Sequence, residues 1–101
     1  MEEHFEDGRR LRLALVGELD VAVARELAER LAELRKGGYT VSLDLARLDF
    51  IDSSGLRELI GEISASRRDG WPLEIERQLT EQVSRVIDLV GARSYFWPNA
   101  G

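Results

Sequence analysis

Three times along this chain a run with period two gives way to a run with period near 3.6, and that alternation restricts the fold more than any other feature. Leu11, Leu13 and Leu15 alternate with Arg12 and Ala14, as in a strand with one buried face, before Val16 closes the run and Gly17 breaks it. Ala24, Leu27, Ala28, Leu31 and Leu34 then recur at helical spacing, with Arg25, Glu26, Glu29, Arg30 and Glu33 mostly opposite. Asp20 is placed to cap that helix, Glu26 and Arg30 predict an i, i+4 ion pair, and Gly37-Gly38 predicts a left-handed C-terminal cap. The second strand, Thr40 to Leu45, sets Val41, Leu43 and Leu45 against Thr40, Ser42 and Asp44. The second helix begins near Ser54 and fades by Arg68, with Leu56, Leu59, Ile60 and Ile63 as its apolar stripe and Gly61 as a point of close packing.

Gly70 ends that helix, and Trp71-Pro72 opens a third strand, Leu73-Glu74-Ile75, expected at a sheet edge or with one face half exposed. Thr80 caps a third helix carrying Val83, Val86, Ile87 and Val90, which Gly91 stops. Strand and helix in strict alternation imply parallel neighbours joined by crossovers. Ahead of them, Phe5-Glu6-Asp7-Gly8-Arg9 reads as a hairpin with a tight two-residue turn, which adds an antiparallel edge. Tyr95-Phe96-Trp97 is expected as a closing strand or an apolar clasp, and Pro98 to Gly101 as a flexible tail. The expectation is one α/β domain over residues 1–101, with a mixed, mostly parallel sheet of about four or five strands and about three or four helices.

Composition narrows the chemistry. Hydrophobic residues make up 44% and charged residues 33% of the chain, a balance that supports a packed core. There is no cysteine, which removes disulfides and thiolate nucleophiles and suits a reducing cytoplasm. Met1-Glu2-Glu3-His4 is acidic where a secretory signal would be basic, and no apolar run approaches the ~20 residues of a membrane span. Net charge is −5, Lys36 is the only lysine, and Arg9-Arg10 and Arg67-Arg68 read as solvated edges, so nucleic acid is a poor partner. His4 stands alone near a terminus, which leaves a serine without the base that nucleophilic catalysis requires. Asp44, Asp49 and Asp52 are the right chemistry for Mg²⁺, yet acidic runs more often form a solvated rim. No catalytic residue, metal site or cofactor is expected.

The stretch Leu48-Asp49-Phe50-Ile51-Asp52-Ser53-Ser54-Gly55-Leu56 carries the functional signal. It joins a strand to a helix, where the first N–H groups of the helix lack partners. One serine is enough for a cap, and here two follow two carboxylates, Asp49 and Asp52, that can border one rim. Gly55 removes a side chain where a partner would need close access.

Asp52-Ser53-Ser54-Gly55-Leu56, led in by an apolar pair and followed by a helix, resembles the signature of the STAS domain, and in particular that of bacterial anti-sigma-factor antagonists. The similarity extends to Gly17-Glu18-Leu19-Asp20 with its helix, to Val41-Ser42-Leu43-Asp44-Leu45, and to Ile87-Asp88-Leu89-Val90-Gly91. It departs at Val23, where the family commonly has a small hydroxyl residue. The resemblance implies a STAS-like fold and phosphorylation of Ser54, the serine before the glycine, by an anti-sigma factor that is itself a serine kinase. It further implies reversal by a metal-dependent phosphatase and a partner surface at Glu18, Asp20, Asp49, Asp52, Ser53, Ser54, Gly55 and Arg57. The alternative is a STAS accessory subunit of a lipid-type ABC transporter, in which the same turn meets the ATPase. A phospho-aspartate receiver, built on Asp44 with Glu18 and Asp20, would need a lysine after a late strand, and Lys36 precedes the second strand.

Overall fold

The computed structural model describes residues 1–98. Of the tail expected over Pro98 to Gly101, all but Pro98 lies outside the described residues. β1 (Glu2–Glu6) and β2 (Arg10–Ala14) form the hairpin, β3 spans Gly17–Leu19, and α1 spans Val21–Lys36. β4 (Thr40–Leu45), β5 (Leu48–Ile51) and α2 (Ser53–Arg68) follow, then β6 (Leu73–Leu79), α3 (Glu81–Leu89) and the single turn α4 (Arg93–Phe96). The main sheet runs β1-β2-β4-β6, with β1 antiparallel to β2 and the remaining pairs parallel. β6 is an edge strand, as expected, though it runs on to Leu79 beyond the predicted Ile75.

The period-two strands pack as read. Leu11, Leu13, Val41, Leu43 and Leu45 are buried beneath α1 and α2, which present Leu27, Leu31, Leu34, Leu56, Leu59 and Ile63. Burying each such leucine contributes about 1.5–3 kcal/mol before chain entropy is subtracted. The opposite face of the sheet is polar and internally paired. The Arg12 guanidinium donates to both carboxylate oxygens of Glu76, at 2.8 and 2.7 Å, and lies 3.1 Å from Asp44. Ser42 donates to Glu76 at 3.0 Å.

Several local expectations change once the chain is folded. The hairpin loop has three residues, because Glu6 pairs with Arg10, and Gly8 takes φ 71° in its middle. Arg30 turns from Glu26 to Glu3 on β1, where it makes a two-pronged contact at 2.6 and 2.7 Å that a neighbour on its own helix does not match. Gly61 has open space where a side chain would sit, so it is not a point of close packing. Val90 is exposed, since α3 ends at Leu89 before the stripe completes another turn. Tyr95-Phe96-Trp97 forms the clasp rather than a strand. Phe96 and Trp97 are buried, Tyr95 is exposed, and the Trp97 indole donates to the Ile75 carbonyl at 2.9 Å.

A second sheet was not anticipated at all. β3 and β5 pair in parallel beside the main sheet, and each runs directly into the start of a helix.

Candidate functional site

The site is built on that small second sheet. Leu19 pairs with Ile51, so β3 and β5 end side by side, and the next residue of each is an aspartate in extended conformation. Asp20 caps α1 by accepting from the Val23 N–H at 2.9 Å, and Asp52 caps α2 by accepting from the Gly55 N–H at 2.6 Å. Two helix N-termini are thereby set next to each other. The Asp52 N–H donates to the Leu19 carbonyl at 3.3 Å and ties the two strand ends together.

With Asp52 as the cap, both serines are released from that duty. Ser53 and Ser54 are the first two residues of α2, both are exposed, and among the described residues neither hydroxyl has a hydrogen-bond partner. The expectation that a serine caps the helix is therefore corrected: pairing with β3 ends β5 at Ile51, which puts Asp52 at the non-helical position.

Gly55 also changes meaning. It is buried, and a Cβ there would stand 2.4 Å from the Leu19 carbonyl oxygen and 2.9 Å from its carbon. The missing side chain lets α2 lie against the backbone of the β3–α1 junction. The access expected for a partner at Gly55 is taken by the chain's own Leu19.

The rim around the serines is acidic. Glu18, Asp20 and Asp49 are exposed and Asp52 is half-buried. Phe50 joins them, 45% exposed, and the sequence reading missed it as a surface residue. Gly17 pairs with Leu48 and Glu18 with Phe50, so Asp49 is the extra residue of a β-bulge. The bulge interrupts the inward–outward alternation and turns Asp49 and Phe50 outward together. No single-strand periodicity contains that information.

On the other side of the serines lies a shallow groove of about 230 Å³, between Ser53, Leu56, Arg57 and Ile60 of α2 and the Val90–Tyr95 segment. Its far wall is pinned. Arg93 grips the Asp88 carboxylate at 2.7 and 3.0 Å, and this hydrogen bonding holds Asp88 below its ordinary 3.8. Arg67 donates to the Phe96 carbonyl at 2.6 Å. Leu89, Val90 and Tyr95 leave apolar surface exposed along this edge.

Other candidate groups lie elsewhere. Asp44 is held by the Ala46 N–H at 2.9 Å and by Arg12, on the opposite face of the sheet from the helices. His4 is exposed on edge strand β1. Among the described residues no group of three or more His, Cys, Asp or Glu side chains is arranged to hold a metal ion, and no helix is long and apolar enough to cross a membrane.

A parallel-stranded α/β domain whose strand–Asp–Ser–Ser–Gly–helix junction lies against a second strand–Asp–helix junction is the arrangement of a STAS domain. The family model described as "Mlab, STAS domain" matches residues 5–94, and the chain belongs to that family. Its curated relatives include anti-sigma-factor antagonists. "Anti-sigma-B factor antagonist" of Staphylococcus epidermidis is 33% identical over 86 residues, covering 84% of this chain and 79% of the relative. The protein of the same name from Bacillus subtilis (strain 168) is 29% identical over 83 residues, covering 82% and 75%. The fold is similar to that in "Structure of the Anti-Sigma Factor Antagonist SpoIIAA in its Unphosphorylated Form", with a TM-score of 0.72, 18% identity, and 93% and 83% of the two chains covered. The family and fold expected from the serine turn are borne out.

Proposed function

We propose that Ser54 is the acceptor of a phosphoryl group, and that its state decides whether this domain holds an anti-sigma factor. The unphosphorylated chain binds an anti-sigma factor with serine-kinase activity and releases a sigma factor; the kinase transfers phosphate to Ser54, and a metal-dependent serine phosphatase removes it. The chain is a substrate and a binding partner in this scheme, acting in the cytoplasm, and performs no catalysis of its own.

The observation that carries the reading is the division of labour at the start of α2: Asp52 makes the cap, which leaves the Ser54 hydroxyl exposed and unpartnered among the described residues. Phosphate there adds about −1.5 to −2 charges. The helix N-terminus accommodates an anion, so the fold tolerates the group. A docked partner does not. Two unit charges ~6 Å apart interact by about 0.7–2.8 kcal/mol for effective dielectrics of 80 to 20. Doubled for a dianion, that is on the order of tenfold to ten thousandfold in affinity. Beside Glu18, Asp20, Asp49 and Asp52 the added charge deepens an already negative rim, which repels an acidic partner face and is left desolvated against an apolar one.

The test is incubation with the anti-sigma-factor kinase and ATP, followed by peptide mass mapping. One phosphate is expected on Ser54, none on Ser53, and none on the Ser54→Ala chain. Phosphate on Ser53, or undiminished labelling of Ser54→Ala, refutes the assignment.

A further inference from the structure

Arg57 differs from the arginines that are tied to carboxylates. Arg12, Arg30, Arg35, Arg47, Arg85 and Arg93 each hold one. Arg57 is exposed and has no ion pair or hydrogen bond among the described residues. It lies on α2 three residues after Ser54 and four after Ser53, the two spacings at which helical side chains meet. At 3.6 residues per turn it projects about 40° from Ser53 and about 60° from Ser54, between the two. Ser53 and Arg57 line the groove against Val90 and Tyr95, and Ser54 does not. The guanidinium therefore stands between the groove and the proposed acceptor, on a stem long enough to serve either side.

We propose that Arg57 is a latch between acceptor and groove: phosphate on Ser54 draws the guanidinium off the groove wall into a charge-assisted contact, and the partner loses the cation it docks on. This rests on the reading of Ser54 as the acceptor and adds the means by which modification reaches the groove. At the serine junction the charged side chains are Glu18 and Asp20 before α1, Asp49 on β5, Asp52 before α2, and Arg57 and Glu58 early in α2, and of these all but Arg57 are acidic. Across the groove Arg93 is held by Asp88 and Arg67 by the Phe96 carbonyl. A phosphate dianion offers three strong acceptors to a planar fork that suits them, with the anion N-terminal to the cation, the favourable order on a helix.

Among the described residues Arg57 is also the groove's only charged lining residue; the remainder is Leu56, Ile60, Val90, Ala92, Tyr95 and the Ser53 hydroxyl. The occupant such walls fit is a partner segment with an apolar side chain beside a carboxylate. The apolar group enters between Ile60 and Val90, and the carboxylate meets Arg57. Modification then acts twice, by placing negative charge on the rim and by withdrawing the positive charge from the groove.

The experiment needs no partner. Phosphoserine is encoded at position 54 of the full chain, and its second ionisation is followed by phosphorus NMR in parent and Arg57→Gln. A nearby guanidinium favours the dianion, so the second phosphate pKa is expected to rise by roughly half a unit in Arg57→Gln, with Arg57→Lys between the two. The acidic neighbours are common to all three proteins and cancel in the comparison. Tyr95 ring resonances, which report on the groove, are expected to move on phosphorylation in the parent and to stay in place in Arg57→Gln. Identical titrations, with an unchanged urea midpoint showing both proteins folded, overturn the latch. A titration shift with Tyr95 unmoved overturns its link to the groove. Because the phosphoserine is placed without a kinase, a failure of the kinase to label Ser54 removes the acceptor assignment and leaves these readouts standing.

Discussion

Replacing Gly55 by alanine introduces one methyl group at the point where α2 meets the β3–α1 junction. The new Cβ would lie 2.4 Å from the Leu19 oxygen, against an ordinary contact of at least 3.4 Å, so helix and strand end must part by about 1 Å. Both neighbours are backbone, which gives less readily than a flexible side chain. Overpacking of this kind costs about 1–3 kcal/mol. Parting also weakens the Asp52 N–H to Leu19 bond, already 3.3 Å, worth about 1 kcal/mol. Alanine's better helix propensity returns up to about 1 kcal/mol. The net expectation is a loss of roughly 1–3 kcal/mol, seen as a lower urea midpoint with an unchanged slope. Gly61→Ala is the matched control, made in the same helix with nothing within 4 Å of the new carbon. It should raise stability by about 0.5–1 kcal/mol. Opposite signs are thus expected from the same chemical change at two positions of one 16-residue helix, and kinase labelling of Ser54 should slow only in Gly55→Ala. Midpoints that move in the same direction would show that the Leu19 contact does not constrain α2.

Three further outcomes are expected. Asp52→Ala should lose about 1 kcal/mol in urea denaturation, because Gly55 loses its acceptor, whereas Ser54→Ala should stay within about 0.5 kcal/mol of the parent; the reverse order would restore the serine as cap. Leu59→Ala, at a fully buried position, should cost about 2–5 kcal/mol, and a change under half a kcal/mol measured the same way would mean that the register of α2 is wrong. Arg30 hydrogen bonding holds Glu3 below its ordinary 4.5, so its contribution of up to about 1 kcal/mol is present above that pH and is lost as pH falls through the depressed folded value. Glu3→Gln should flatten that part of the acid-unfolding curve, and an unchanged acid slope would refute the pairing.

Much of this architecture is written in local periodicity. Leu11 and Leu13, Val41 to Leu45, and the stripes through Leu27, Leu31, Leu59 and Ile63 identify their own elements, because burying one face requires a fixed spacing whatever the partner. Asp20 and Thr80 are legible as caps for the same reason, since a short polar side chain before an apolar run has few other uses. The serine turn is legible as a site because its residue types are unusual together.

The rest was decided in three dimensions. β3 and β5 have three and four residues, too few for an alternation to register, and the bulge at Asp49 erases what alternation remains. Their pairing nonetheless determines which of three capping-competent residues in a row becomes the cap, and so leaves Ser54 unengaged. Gly55 reads in the sequence as an opening for a partner, and only the position of the Leu19 carbonyl shows that the fold itself fills it. Arg30 takes Glu3, 27 residues away, over Glu26 one turn back, because a two-pronged contact outweighs proximity along the chain. Spacing along one element can be read from one segment. Which surfaces remain exposed depends on what the other segments cover, and for Phe50, Tyr95 and Arg57 no property of their own neighbours in sequence states it.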